Sequence, residues 1–301
     1  MDRPHGGVAV TGPLLEPALV EALGRIVPGV RRTALAAGGG LHRSAFKGAG
    51  VDFRQHRMYV RGDDVRRLDW RVLARTDRPF IREYDDESTL RTMAVVDGSG
   101  SMAYGVPTPK TREAASLAAA LAYVALAGGE NAGLTIAGED GPETLVPSAA
   151  RSQFTRIIDR LERLDAKGPT TLDATLARVA PRVGRRAVVL VISDLLLPPE
   201  KLRAGLARLR HGRHDVTLVR VLHRDEIEFP FRGFVRFAGL EAERPTTATA
   251  ATTRGRYLAA FDRHAVALRA VCRATRTTLI DHTVGRPLID TVHAVVRRGR
   301  A

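Results

Sequence analysis

Three short stretches carry residues whose types and spacing could do chemistry. In "VVDGSGSM", Val95 to Met102, an apolar run ends in Asp97 and passes into Gly98-Ser99-Gly100-Ser101. "KGPTTLDATL" sets Thr170, with Thr171 beside it, after Gly168-Pro169 and ahead of a helical pattern. "VVLVISDLLLP" ends a second apolar run at Asp194. A phosphate cradle would need lysine after the second glycine, but Val106 follows Gly105 and Lys110 comes too late. A dinucleotide fingerprint would need a third glycine where Ala103 stands. A nucleophile elbow is out of frame at Ser99, and His211, His214 and His223 sit in charged or strand-end contexts that suit solvated side chains. A metal site fits better. Asp97, Ser99 and Ser101 form D-x-S-x-S, and Thr170 and Asp194 add to a set of hard oxygen donors suited to Mg2+, Ca2+ or Mn2+ rather than zinc. Two carboxylates and three hydroxyls do not fill an octahedral shell, so water or an outside ligand must complete it.

The elements that must position these residues follow from periodicity. "TMAVVD", "AGLTIAG", "RAVVLVISD", "DVTLVRVLH" and "TTLIDH" read as strands, and "ETLVP" as a short one. Between them "KTREAASLAAALAYVALAGG", "ARSQFTRIIDRLERL", "TLDATLARVAPRV", "PEKLRAGLARLRHG", residues 254–275 and "PLIDTVHAVVRR" read as helices. Strands alternating with helices predict an α/β fold with a doubly wound, mostly parallel sheet, whose ligands lie beyond the carboxyl ends of the strands. Asp97 and Asp194 both stand at such ends. Ahead of this region, residues 1–45 read as a helical segment, one or two helices over 14–36, and residues 46–90 as loops and short strands, with "RPFIREYDD" a strand. The sheet domain spans 91–301, with an irregular insertion at 224–253.

The chain has 301 residues, a net charge of +14 and a single cysteine, Cys272. That cysteine excludes an internal disulfide and a cysteine-based zinc site, and reads as an apolar packing residue. No apolar run reaches membrane-spanning length, and the start lacks a signal-peptide pattern, so a cytoplasmic protein is expected. Lysine occurs only at 47, 110, 167 and 201; the basicity is nearly all arginine, as G+C-rich coding would produce, and it is dispersed. Dispersed charge is a weak footprint for specific nucleic-acid binding.

The three loops resemble the metal-ion-dependent adhesion site of von Willebrand factor A domains. The resemblance implies that Ser99, Ser101 and Thr170 contact the ion, that Asp97 and Asp194 hold it and orient the hydroxyls, and that one position is left for a partner's carboxylate. The chain departs from that family at Pro169, where a second glycine is usual. Upstream, Phe46 to Thr76 resembles the signature of the bacterial "domain of unknown function 58" family through Arg57, Tyr59, Gly62, Asp63, Asp64, Arg66, Asp69, Trp70 and Arg75. Many of its members carry membrane helices before the signature; none is legible here. The resemblance implies a non-enzymatic adaptor or scaffold for a MoxR-type AAA+ ATPase and its client.

The signature alternates carboxylates with arginines around the only tryptophan. Asp63, Asp64, Asp69, Arg66 and Arg75 are expected to form buried, paired charges tying residues 46–90 to the sheet. The alternative is a recognition surface for the ATPase, since Trp and Arg are enriched at binding hot spots. Two rivals to the adaptor remain: a metal-assisted hydrolase, in which the ion activates water, and an arginine-rich nucleic-acid binder.

Overall fold

The computed structural model describes residues 13–38, 52–59, 69–85, 90–184, 187–241 and 243–298. Contacts divide the chain into two units, Met1–Thr33 with Arg91–Ala301, and Ala34–Leu90.

The larger unit is built on a six-stranded sheet. Its strands are β3 (Arg91–Asp97), β4 (Asn131–Gly138), β5 (Gly141–Ser148), β6 (Val188–Ser193), β7 (Asp215–Leu222) and β10 (Thr278–Thr283). They lie in the order β10-β7-β6-β3-β4-β5. All neighbours are parallel except β4 and β5, which form an antiparallel hairpin through Glu139-Asp140. "ETLVP" is therefore a full edge strand of the sheet, turned by Gly141 at φ +100.

Alternation along the central strands explains the layering. Ala94 and Val96 of β3, with Leu190 and Ile192 of β6, face one apolar cluster; Met93, Val95, Val189 and Val191 face another. Strands buried on both faces need continuous apolar runs, which is what "MAVV" and "VVLVI" supply. The first cluster is covered by α3 (Lys110–Ala127), α4 (Gln153–Glu162), α9 (Leu288–Arg298) and Leu23 and Ile26 of α1 (Pro17–Gly38). The second is covered by α5 (Leu172–Val179), α6 (Pro199–His211) and Leu268 and Cys272 of α8 (Ala250–Ala274). The sheet is thus doubly wound, as expected. Burial pushes the Cys272 thiol up to about 11, consistent with a packing role. Between β7 and β10, Arg220 makes a two-pronged pair with Asp281 at 2.8 and 2.9 Å, directly across the strand register.

The stretch expected to be irregular is better ordered than its sequence suggests. It holds a short helix, α7 (Arg224–Glu228), and a two-stranded antiparallel ribbon of β8 (Phe234–Phe237) and β9 (Thr246–Thr249). Helix α8 then starts at Ala250, four residues before the expected Arg254. The ribbon is short because only four pairs form, with Phe234 opposite Thr249 and Phe237 opposite Thr246.

In the smaller unit, β1 (Asp52–Met58) pairs antiparallel with β2 (Phe80–Asp85), with Arg57 opposite Ile81. Between them lies a seven-residue helix, α2 (Trp70–Thr76), where loops and strands were expected. Asp69 starts it: its carboxylate accepts from the Val72 amide at 3.3 Å, the ordinary cap of a helix N-terminus. Among the described residues no helix is long and apolar enough to cross a membrane.

Candidate metal centre

Asp97 stands at the end of β3 and is 1% exposed. One carboxylate oxygen accepts from the Ser99 amide at 3.0 Å; the other accepts from the Ser193 hydroxyl at 2.7 Å and the Thr170 hydroxyl at 3.3 Å. Three segments far apart in sequence therefore meet on one carboxylate. The glycine turn then makes a single 3₁₀ turn at Gly100–Ala103, which brings the Ser99 and Ser101 hydroxyls to 3.2 Å. The Gly100 amide donates to the Gly168 carbonyl at 2.8 Å, fixing this turn to the loop that carries Thr170. Gly168 has φ +67, and a Cβ there would strike Glu139, so the position requires glycine.

Thr170 and Thr171 separate cleanly. The Thr170 hydroxyl faces Asp97, whereas that of Thr171 donates away to the Gly138 carbonyl at 3.0 Å. Pro169 does not prevent this placement.

Asp194, at the end of β6 and 2% exposed, is held differently. One oxygen accepts from the Leu196 amide at 3.2 Å; the other accepts from the Lys110 ammonium at 2.8 Å. That ammonium also donates to Glu226 of α7 at 2.6 Å. Lys110 is fully buried. Burial alone would lower its pKa, but Asp194 and Glu226 together hold it above the ordinary lysine value. Burial, reinforced by the Asp194 charge, raises Asp97 from 3.8 to about 6 despite the hydrogen bonds from Ser193 and Ser99.

A fourth segment closes the arrangement. Glu241, from the connection between β8 and β9, accepts from the Ser101 amide at 3.3 Å and the Thr170 amide at 3.2 Å. The preceding Leu240 carbonyl lies so close to Gly100 that a Cβ there would overlap it.

The five residues expected at a metal site, Asp97, Ser99, Ser101, Thr170 and Asp194, are thus gathered at the carboxyl ends of β3 and β6. Their oxygens are hard donors in a place with an excess of carboxylates over its one ammonium, which fits Mg2+, Ca2+ or Mn2+. Among the described residues, no group of three or more His, Cys, Asp and Glu side chains could hold a metal ion. A cation here has to take hydroxyl oxygens beside carboxylates.

Sequence reasoning missed Ser193, Lys110, Glu226 and Glu241. Lys110 carried a signal: it is one of four lysines in an arginine-rich chain and stands at a helix start, where the dipole disfavours a cation. Of the histidines weighed as bases, His211 is exposed as expected, whereas His214 and His223 are engaged in local structure rather than solvated. His214 is buried and its Nδ1 accepts from the Ala187 amide, and His223 caps α7.

The signature residues belong to the smaller unit. Asp63, Asp64 and Arg66 lie outside the described residues. Asp69 is buried at its cap, and the Tyr59 amide donates to the Pro79 carbonyl at 2.9 Å. Arg75 is exposed, against the expectation of a buried pair, and Trp70 is 63% exposed. An exposed α2 start keeps the recognition-surface reading of Trp70 alive and removes Arg75 from the buried network.

The family described as "Protein of unknown function DUF58" matches residues 55–267. "Uncharacterized protein Rv1480" of Mycobacterium tuberculosis is 30% identical over 236 residues, covering 77% of this chain and 74% of that protein. "Uncharacterized protein Mb1516" of Mycobacterium bovis matches equally. Among solved structures, an aerotolerance-related membrane protein from Bacteroides fragilis is 16% identical over 69% of this chain and 99% of its own, with a TM-score of 0.48. The VWA domain of SpRpn10 is 12% identical over 70% and 95%, with a TM-score of 0.40.

Proposed function

Because the chain belongs to the DUF58 family, we propose that it is a non-enzymatic adaptor that binds a divalent cation and presents it to an acidic side chain of a partner protein. Mg2+ is the favoured ion, with Ca2+ and Mn2+ as alternatives. The partner is a MoxR-type AAA+ ATPase or its client, met in the cytoplasm. One observation carries the reading: Asp97 accepts from Thr170 and lies at the same strand ends as Asp194, with the Ser99 and Ser101 hydroxyls side by side on the turn.

In this reading each residue has a distinct task. Asp97 supplies charge, and Ser193 and the Ser99 amide hold its carboxylate in place. Ser99, Ser101 and Thr170 offer neutral oxygens from two loops tied together at Gly100 and Gly168. Asp194 is oriented by Lys110, which also cancels part of the negative charge that the site accumulates. The bound ion would supply positive charge and a coordination position for an anionic group. Because the hydroxyls are neutral donors and the set does not fill an octahedral shell, a coordination position would be left for an incoming carboxylate.

Affinity capture from native lysate tests the proposal, with this chain as bait in Mg2+, in chelator and as Asp97→Ala. The expected result is an AAA+ ATPase retained only with ion and intact Asp97. Equal retention in all three lanes would move the contact away from the site, and no ATPase in any lane would remove the proposed partner.

A further inference from the structure

We infer that Glu241 is a built-in competitor for the site: its carboxylate occupies the place that a partner's acidic side chain must take. The inference rests on the adhesion-site reading above and adds its regulation.

The segment that carries Glu241 connects β8 and β9, so the fold of the central sheet does not need it at the strand ends. It nevertheless lies across the site. The Leu240 carbonyl sits against Gly100 in a space only a glycine leaves open. The bend is pinned by the Glu241 amide, which donates to Glu243 at 3.0 Å. The Glu241 carboxylate then straddles the two loops, one oxygen on the Ser101 amide and the other on the Thr170 amide. Those amides belong to two of the residues whose hydroxyls are the proposed ligands.

Three features make this seat suited to a competitor rather than to a permanent ligand. Its hydrogen bonds, at 3.2 and 3.3 Å, are longer than charge-assisted bonds usually are. Each carboxylate oxygen has further acceptor capacity beyond the one amide it engages, so a cation can be shared. Glu241 is also only half-buried, unlike Asp97 and Asp194, and an outside carboxylate can replace it without unfolding the core. A partner therefore has to bring an acidic side chain that outcompetes an intramolecular one. That requirement favours partners presenting the carboxylate from a preordered loop or helix end, because a flexible acidic tail would lose the competition.

Mn2+ alone serves as the probe, with the full chain as wild type, Glu241→Gln and Asp97→Ala. Affinity is read by titration, and the number of exchanging waters on bound Mn2+ by water-proton relaxation. The glutamine keeps the shape and removes the charge, and circular dichroism checks that the sheet is intact. Glu241→Gln is expected to weaken Mn2+ about tenfold, as loss of one charged ligand does, and to raise the relaxivity per bound ion. Wild-type affinity and relaxivity in Glu241→Gln, with binding lost in Asp97→Ala, would overturn the competitor while leaving the site standing. No Mn2+ binding in wild type would overturn both.

Discussion

Lys110→Met lowers the free energy of unfolding by about 3–5 kcal/mol, the usual cost of removing one partner from a buried ion pair. Methionine nearly matches the length and volume of the lysine stem, so packing contributes little to that loss. What remains is electrostatic. Asp194, 2% exposed, would lose the ammonium at 2.8 Å and Glu226 the one at 2.6 Å, leaving two neighbouring carboxylates to repel each other. Lys110 also stands at the start of α3, where the helix dipole opposes its charge, so helix propensity does not explain its presence. Denaturant unfolding reads the effect, and the triple variant with Asp194→Asn and Glu226→Gln is expected to recover most of it. A loss below about 1 kcal/mol in Lys110→Met would mean that the ammonium is not holding these carboxylates.

On the proposed reading, a divalent ion is expected to compete with the proton at Asp97. Its carboxylate takes up a proton at about 6 when folded and at the ordinary 3.8 when unfolded, because burial and Asp194 disfavour its charge. Between those values the folded chain binds more protons, so this group lowers stability as pH rises, by roughly 3 kcal/mol once above the folded value. An ion that binds only the folded state offsets that loss. At about 100-fold over its Kd, Mg2+ adds about 2.7 kcal/mol, raising the unfolding midpoint by roughly 5 °C at about pH 7.5. At about pH 5 the proton weakens the ion about tenfold, and the gain falls to about half. In Asp97→Ala the Mg2+ gain vanishes at both pH values while the circular dichroism of the sheet is kept. A Mg2+ gain that survives the alanine would place the ion elsewhere.

What could be read from the sequence divides along the distance over which each feature is encoded. Asp97, Ser99 and Ser101 are legible because one strand-to-turn segment writes all three, and Asp194 because its strand is the most continuous apolar run. Thr170 was found, but not separated from Thr171, since the choice depends on which hydroxyl faces Asp97 and which reaches Gly138. Lys110 failed a phosphate-loop test and was set aside, although its partners, Asp194 and Glu226, lie 84 and 116 residues away. Glu241 is invisible to any periodicity, being a single charge in the long connection of a four-pair ribbon. Helix α2 was missed because seven residues are too few to display a helical period, although Asp69 stands where a cap is common.

The same distances set when the site can exist. Asp97 meets Thr170 across 73 residues and Ser193 across 96, and the second meeting waits for β3 to pair with β6 at the centre of the sheet. The stretch from Asp97 to Ser101 carries three of the five donors, but Thr170 and Asp194 come from segments that reach it only when the sheet has formed. While the chain is still assembling, a cation would find at most the partial set on that one turn. If the site binds a divalent ion, that ion is therefore not expected to template the fold; it would act on the lifetime of the finished protein, slowing escape from the native state while leaving the time needed to reach it unchanged.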